Sequence, residues 1–281
     1  MSDEKNGQGG ELFECRDVHY AYQGRFPALG GVDMVINSGE RIALVGANGS
    51  GKSTLLHLLD GLIFPDKGTI RYQGKDLTEP SFLDEKFSTS FRRSVGLIFQ
   101  NPDVQLFCPT VREDIAFGPL QLGVDETTVM TRMESLAETL KISHLMDRSP
   151  HQLSVGEKRK VAFATVLAID PDVLLLDEPT AGLDPQTSTQ LIEMLIHASG
   201  SGKTIITATH DLHIIEDIAD TVYVFGQDKR LVGHGSPTEI LANVDLLKAN
   251  NLIHRHAHHA SDHRVMKTAD QPIPSNNTVE R

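Results

Sequence analysis

Cysteine is scarce in this chain of 281 residues: Cys15 and Cys108 are the two, far apart in sequence. They read as reduced thiols rather than as a disulfide framework. Basic residues are also few. Lys and Arg number 26 against 38 Asp and Glu, a formal charge of −12. That argues against nucleic acid as the main partner, because such binding needs clustered cations to neutralise phosphates. No stretch approaches the ~18 uninterrupted apolar residues of a membrane span; the apolar run at 169–176 is broken by Asp170, Pro171 and Asp172. Residues 1–10 are polar and acidic and lack the apolar core of a signal peptide. No internal repeat is visible. These absences predict a chain kept in the cytosol, which only a partner could hold at a membrane.

What is present is an ordinary globular composition, 39% apolar and 23% charged, with length enough for a sizeable core. Strand patterns cover 12–22, 32–36, 41–45, 68–72, 94–99, 204–207 and 221–225. Val173 to Leu176 is short and wholly apolar, the mark of a strand inside a parallel sheet. Helical patterns cover 52–59, 126–140, 156 onward, 187–198 and 212–219. Strands alternating with helices predict an α/β fold with a parallel sheet, and residues about 101–165 read as an inserted helical subdomain. Residues 1–10 predict a disordered lead. Beyond about Asn250 the composition turns to His, Asn, Ser and Pro, predicting a loosely ordered tail.

Between the strand ending at Val45 and the helix that follows, Gly46-Ala47-Asn48-Gly49-Ser50-Gly51-Lys52-Ser53, followed by Thr54, fits G-x-x-x-x-G-K-[ST] in full. The glycines let backbone N–H groups close around phosphates, and the helix start adds a positive dipole end. Lys52 is expected to reach β- and γ-phosphates, and Ser53 to ligate Mg²⁺. The strand Val173–Leu176 then delivers Asp177 and Glu178 to a carboxyl end, where ligands bind in open parallel sheets. Asp177 is expected to hold Mg²⁺ through water, and Glu178 to polarise an attacking water as general base.

From about residue 12 to 240 the sequence resembles the ATP-binding proteins of ABC transporters. Leu153-Ser154-Val155-Gly156-Glu157 resembles that family's signature loop, usually LSGGQ, upstream of the Asp177-Glu178 strand. Gln100 stands at the Q-loop position, Gly182-Leu183-Asp184 resembles the D-loop, and His210 follows a strand as the family's switch histidine does. The resemblance implies a P-loop NTPase (RecA-like) core with a parallel sheet, an antiparallel β subdomain and the inserted α-helical subdomain. It implies an ATPase domain at 11–240 and a C-terminal extension at 241–281. It also implies a head-to-tail pair of ATPase subunits, either two copies or this chain with a paralogue. Each ATP would lie between the P-loop of one and the signature loop of the other, where Ser154, Gly156 and Glu157 meet it. His210 would bridge Glu178 and the γ-phosphate, and Gln100 would sense Mg²⁺ or water. Tyr22 would stack on adenine, with Tyr20 its rival. Val155 and Glu157 depart from the usual signature; Gly156, where the backbone would approach phosphate most closely and a positive φ would exclude valine, is kept.

The run Phe99-Gln100-Asn101-Pro102-Asp103-Val104-Gln105-Leu106-Phe107, continued by 111–119, resembles the energy-coupling-factor importers of cobalt, nickel or vitamins. That implies a transmembrane coupling protein and a substrate-specific membrane subunit as partners, with the chain peripheral at the cytoplasmic face. Val104, Leu106 and Phe107 are expected to be exposed in a groove for a coupling helix. In the tail, His254 and His258, like His259 and His263, would stand one turn apart on a helix, with His256 between. Such spacing can chelate Ni²⁺, Co²⁺ or Zn²⁺; a plain polar tail without a specific duty is the competing reading.

Overall fold

The computed structural model describes residues 10–253; the five tail histidines lie outside them. The chain begins with a long hairpin, β1 (Glu11–Tyr22) and β2 (Phe26–Asn37), then β3 (Arg41–Val45) and helix α1 (Lys52–Leu59). Next come β4 (Lys67–Tyr72), β5 (Lys75–Asp76), α2 (Glu79–Leu83), α3 (Glu85–Ser94) and β6 (Val95–Ile98). Three helices follow: α4 (Val111–Gln121), α5 (Glu126–Thr139) and α6 (Val155–Leu167). The remainder runs β7 (Val173–Asp177), α7 (Pro185–Gly200), β8 (Thr204–Thr209), α8 (Ile215–Ile218), β9 (Thr221–Phe225), β10 (Leu231–Gly235), α9 (Pro237–Ala242) and α10 (Val244–Ala249).

Two sheets result. One is antiparallel, in the order β2-β1-β4-β5. The other runs β10-β9-β3-β8-β7-β6, parallel except for β10. Strands β7 and β8 are buried at every position, as strands inside a parallel sheet are. One core fills the space between the two sheets and buries Leu55, Leu56, Leu58 and Leu59 of α1. A second joins α4, α5 and α6 to the other face of the sheet through Ile115, Met133, Phe163 and Leu176.

The sequence pattern finds α1 to the residue and α5 within one. It misses α4, whose Gly118-Pro119 pair reads as a breaker but sits late in the helix. Its signal was the capping box: the Thr110 side chain accepts from the Glu113 N–H, and Glu113 reaches back to the Thr110 N–H. Strand β2 begins six residues before Val32, because β1 pairs with it as far as Phe26. Residues 212–219, expected as one helix, form a tight 3₁₀ turn and then α8. Helix α9 runs across residue 240, and its Ile240, with Leu247 of α10, joins a third core beneath β3 and β9. Both cysteines are free. Burial pushes the Cys15 thiol up to about 12.

Candidate functional site

The register of the parallel sheet brings three loops together. Strand β8 lies between β3 and β7, with Val45 opposite Thr209 and Asp177 opposite Ala208. The three carboxyl ends therefore lie side by side, presenting Gly46–Lys52, Glu178 and His210 at one edge, where open parallel sheets bind ligands.

Gly49 (φ 75°) and Gly51 (φ 111°) turn the first of these loops through left-handed backbone that other residues resist. Gly51 is the N-cap of α1, so the N–H groups of the first helical turn face the loop without intrahelical acceptors. Lys52 is buried, and its ammonium donates to the carbonyls of Gly46 (2.7 Å) and Ala47 (3.3 Å). It also stands 3.9 Å from Glu178 Oε1. Burial holds the Lys52 pKa below the usual lysine value, against the pull of Glu178 and Asp177. Asn48 is exposed at the loop tip. Ser50 Oγ is buried and has no partner among the described residues.

Ser53 Oγ donates to Asp177 Oδ1 at 2.9 Å. Burial raises the Asp177 pKa, partly offset by that bond. Glu178 adopts a left-handed backbone (φ 48°), rare for a residue with a side chain. Its carboxylate lies 2.8 Å from His210 Nδ1, and Thr209 Oγ1 donates to it at 3.4 Å. At the other end of α1's first turn, the Tyr22 hydroxyl lies 3.3 Å from Thr54 Oγ1. Tyr20 packs edge-on behind Tyr22, ring centroids 5.0 Å apart, and Tyr22 is the more exposed of the two.

Ser154 is the N-cap of α6, and Val155 and Gly156 form its first turn in solvent. Val155 does not have a positive φ, so a β-branched residue fits there. Glu157 Oε2 accepts from the Ser154 N–H (2.8 Å) and hydroxyl (2.7 Å), closing a capping box. Those two bonds hold the Glu157 carboxyl below the usual range. The signature residues thus stand apart from the Lys52–Glu178–His210 cluster within one chain. Gln100 follows β6 with an exposed side chain, and among the described residues no hydrogen bond joins that side chain to the cluster. Its carbonyl, however, accepts from Arg159 at 2.8 Å. Sequence reasoning missed Arg159, Thr209, and Lys229, whose ammonium donates to the Gly49 carbonyl. No signal singled out Arg159, which stands between Lys158 and Lys160 in a short basic run.

A buried carboxylate, a buried lysine and a glycine-rich loop thus meet at one sheet edge. Residues 29–181 match the ABC transporter family model. The chain belongs to the ATP-binding subunits of ABC transporters. Within that family of ATPases it falls in the energy-coupling-factor branch. It is 42% identical to the energy-coupling factor transporter ATP-binding protein EcfA of Methanothermobacter thermautotrophicus, over 86% of this chain and 76% of that protein. It is 48% identical to the nickel import ATP-binding protein NikO of Rhodobacter capsulatus, over 86% and 95%. Among solved structures, CbiO1 of Clostridium perfringens, part of the CbiONQ transporter complex, superposes with a TM-score of 0.71 at 36% identity, covering 86% of this chain and 95% of that one.

Beyond the site, Val104 and Phe107 are exposed, as expected, but Leu106 is only 4% exposed. It turns into the core of the helical layer with Val111 and Ile115. Phe117 takes its place at the surface, edge-on to Phe107 with centroids 5.0 Å apart. Leu62 completes an apolar groove floored by Leu97 and Val166. Among the described residues, no helix is long and apolar enough to cross a membrane.

Proposed function

We propose that this ATPase powers an importer of the energy-coupling-factor kind whose cargo is cobalt or nickel ions, working as a pair of ATPase subunits at the cytoplasmic face of the membrane. The observation that carries the ATPase half is the convergence of Lys52, Glu178 and His210 at adjacent strand ends. Support for the cargo comes from the similarity to NikO and CbiO1.

In this reading the triphosphate lies along Gly46–Thr54, with Lys52 released from the Gly46 and Ala47 carbonyls to the β- and γ-phosphates. The paired oxygens of Ser53 and Asp177, 2.9 Å apart, are hard donors that fit Mg²⁺, and the unpartnered Ser50 hydroxyl fits an acceptor-rich ligand. Mg²⁺, when bound, neutralises charge on the transferred phosphoryl group. Gln100, which is solvent-facing, would reach the metal or the attacking water. Glu178 accepts a hydrogen bond from that water and takes its proton as the water oxygen bonds to the γ-phosphorus, while the bond from the γ-phosphorus to the β,γ-bridging oxygen breaks and ADP leaves. His210 orients Glu178 through Nδ1, leaving Nε2 for the γ-phosphate. Tyr22 offers its ring to adenine.

One chain holds only half of the donors. Ser154 and Gly156 of a second subunit would close over the γ-phosphate, adding backbone N–H groups and the dipole of α6. The Phe107–Phe117 groove would grip a helix of the transmembrane coupling protein, and a separate membrane subunit would choose the cargo. The test is reconstitution of the chain with its membrane partners in vesicles. ATP-dependent uptake of Co²⁺ or Ni²⁺, abolished by Glu178→Gln, is the expected result. Uptake of a vitamin instead would keep the motor and change the cargo. Absence of any co-purifying membrane protein would favour an ATPase that moves no solute.

A further inference from the structure

Arg159 lies on α6, two residues after the signature loop, and is 6% exposed. Its Nη1 donates to the carbonyl of Glu178 at 2.7 Å and to that of Pro179 at 3.2 Å. Its Nη2 donates to the carbonyl of Gln100 at 2.8 Å. The guanidinium thus bridges three backbone oxygens on two loops that no covalent path connects closely. Its Nε is buried without a partner among the described residues. Burial lowers the Arg159 pKa, against the attraction of Glu178 and Asp177. A side chain held under such conditions is expensive to bury unless its fork geometry is used.

The neighbours show what it is used for. Lys158 bonds Asp103 at 2.6 Å. Gln105 donates to the Ala162 carbonyl and to Thr165 Oγ1, at 2.8 and 2.7 Å, and accepts from the Phe99 N–H at 3.4 Å. The segment from 99 to 105 is therefore stitched to α6 by several side chains, and among the described residues only Arg159 continues by hydrogen bonds from it to the loop bearing Glu178. Glu178 needs such a hold. Its left-handed backbone is unfavourable for a residue with a Cβ and persists only where surroundings fix it. Its N–H is fixed by the Ala208 carbonyl at 2.9 Å, and its carbonyl by Arg159.

We propose that Arg159 is a positioning residue for ATP hydrolysis, tying the Glu178 backbone to the Gln100 segment and to the helix behind the signature loop, so that the general base is aligned only while both keep their places. The proposal rests on the ATPase reading above. It makes Arg159 the link by which displacement of the 99–107 segment, beside the apolar groove, reaches the hydrolytic carboxylate.

The test is steady-state ATP turnover of the full-length chain carrying Arg159→Met or Arg159→Lys, alone and combined with Glu178→Gln, together with MgATP binding and thermal melting. A misplaced base predicts that kcat falls at least ~10-fold in Arg159→Met, the scale of sub-ångström misalignment, with KM for MgATP within about twofold of wild type. Arg159→Lys, which keeps the charge but not the fork, should recover part of the loss. In the Glu178→Gln background the Arg159 substitutions should have little further effect, because they act through that residue. Equal losses in both backgrounds, or an unchanged kcat in a folded variant, would overturn the proposal. So would failure of both Arg159 variants to fold, which would make the residue purely structural. A wild-type chain without ATP turnover would instead remove the ATPase reading, and this proposal with it.

Discussion

Lys52, Asp177 and Glu178 are each about 5% exposed, whereas Val155 is 61% exposed and Ser154 stands in solvent. Both regions carry glycine and a helix N-terminus fit for phosphate, α1 behind one and α6 behind the other. The first is surrounded by its own chain and its charges already oppose each other. The second has only its own cap, Ser154 and Glu157 satisfying one another. An exposed loop is open to contact with another molecule, while a buried loop holds charges that water would otherwise screen. In the proposed reading, the difference separates chemistry, which a single chain prepares, from its trigger, which a second subunit supplies.

That contrast is open to attack, most forcefully on the buried side. Glu178→Gln should cut kcat at least ~100-fold while leaving nucleotide binding intact, as read by phosphate release and by equilibrium titration. Next in size, Lys52→Ala should weaken MgATP binding by ~10–100-fold, the loss of charge-assisted hydrogen bonds; binding at wild-type strength would mean that the buried lysine is a structural feature. A third substitution sharpens the comparison at a different exposed surface. Phe107→Ala should weaken association with the membrane coupling protein by about 10-fold or more, as for a truncated aromatic anchor, and leave the melting temperature of the isolated chain unchanged. On the signature loop itself, Ser154→Ala removes a helix cap, so a stability loss of about 1 kcal/mol is expected in urea titration. A loss of turnover beyond that in the paired state would show that the exposed loop works in hydrolysis.

The smallest effect concerns pH. Asp60 caps the C-terminus of α1 and accepts from Arg92 at 3.1 Å, beside the apolar groove. Burial pushes its pKa up to about 7, against the pull of Arg92. The folded state then binds the proton more tightly than the unfolded chain, so this residue's contribution is greatest below about pH 4 and declines as pH rises to about 7. Asp60→Asn should flatten that part of the stability profile; an unaltered slope in chemical denaturation would assign it to other groups.

The glycine-rich loop before α1 was legible because its constraints are local: a fixed glycine spacing, a lysine and a hydroxyl between an apolar strand and an apolar helix. Asp177 and Glu178 were legible from the four apolar residues before them. Leu106 was misplaced for the opposite reason. Alternating apolar residues at 104, 106 and 107 cannot say which of them a distant helix will cover, and Ile115 and Met133 settle that by packing. Arg159 was invisible because its partners are backbone carbonyls, which every residue possesses and no sequence marks. The exposed Phe117 lay in plain view, but only the approach of α4 to the 99–107 segment sets it against Phe107.

By itself, then, the sequence determined the local form of the loops and the alternation of strands and helices, because turns, caps and short apolar runs depend on neighbours in the chain. Strand order was decided in three dimensions. Only by seating β8 between β3 and β7 does the sheet put His210 within hydrogen-bonding distance of Glu178, and Glu178 near Lys52. Those residues are more than a hundred positions apart at the extremes, and what joins them is burial of a shared apolar sheet, a property of the whole fold that no local pattern encodes.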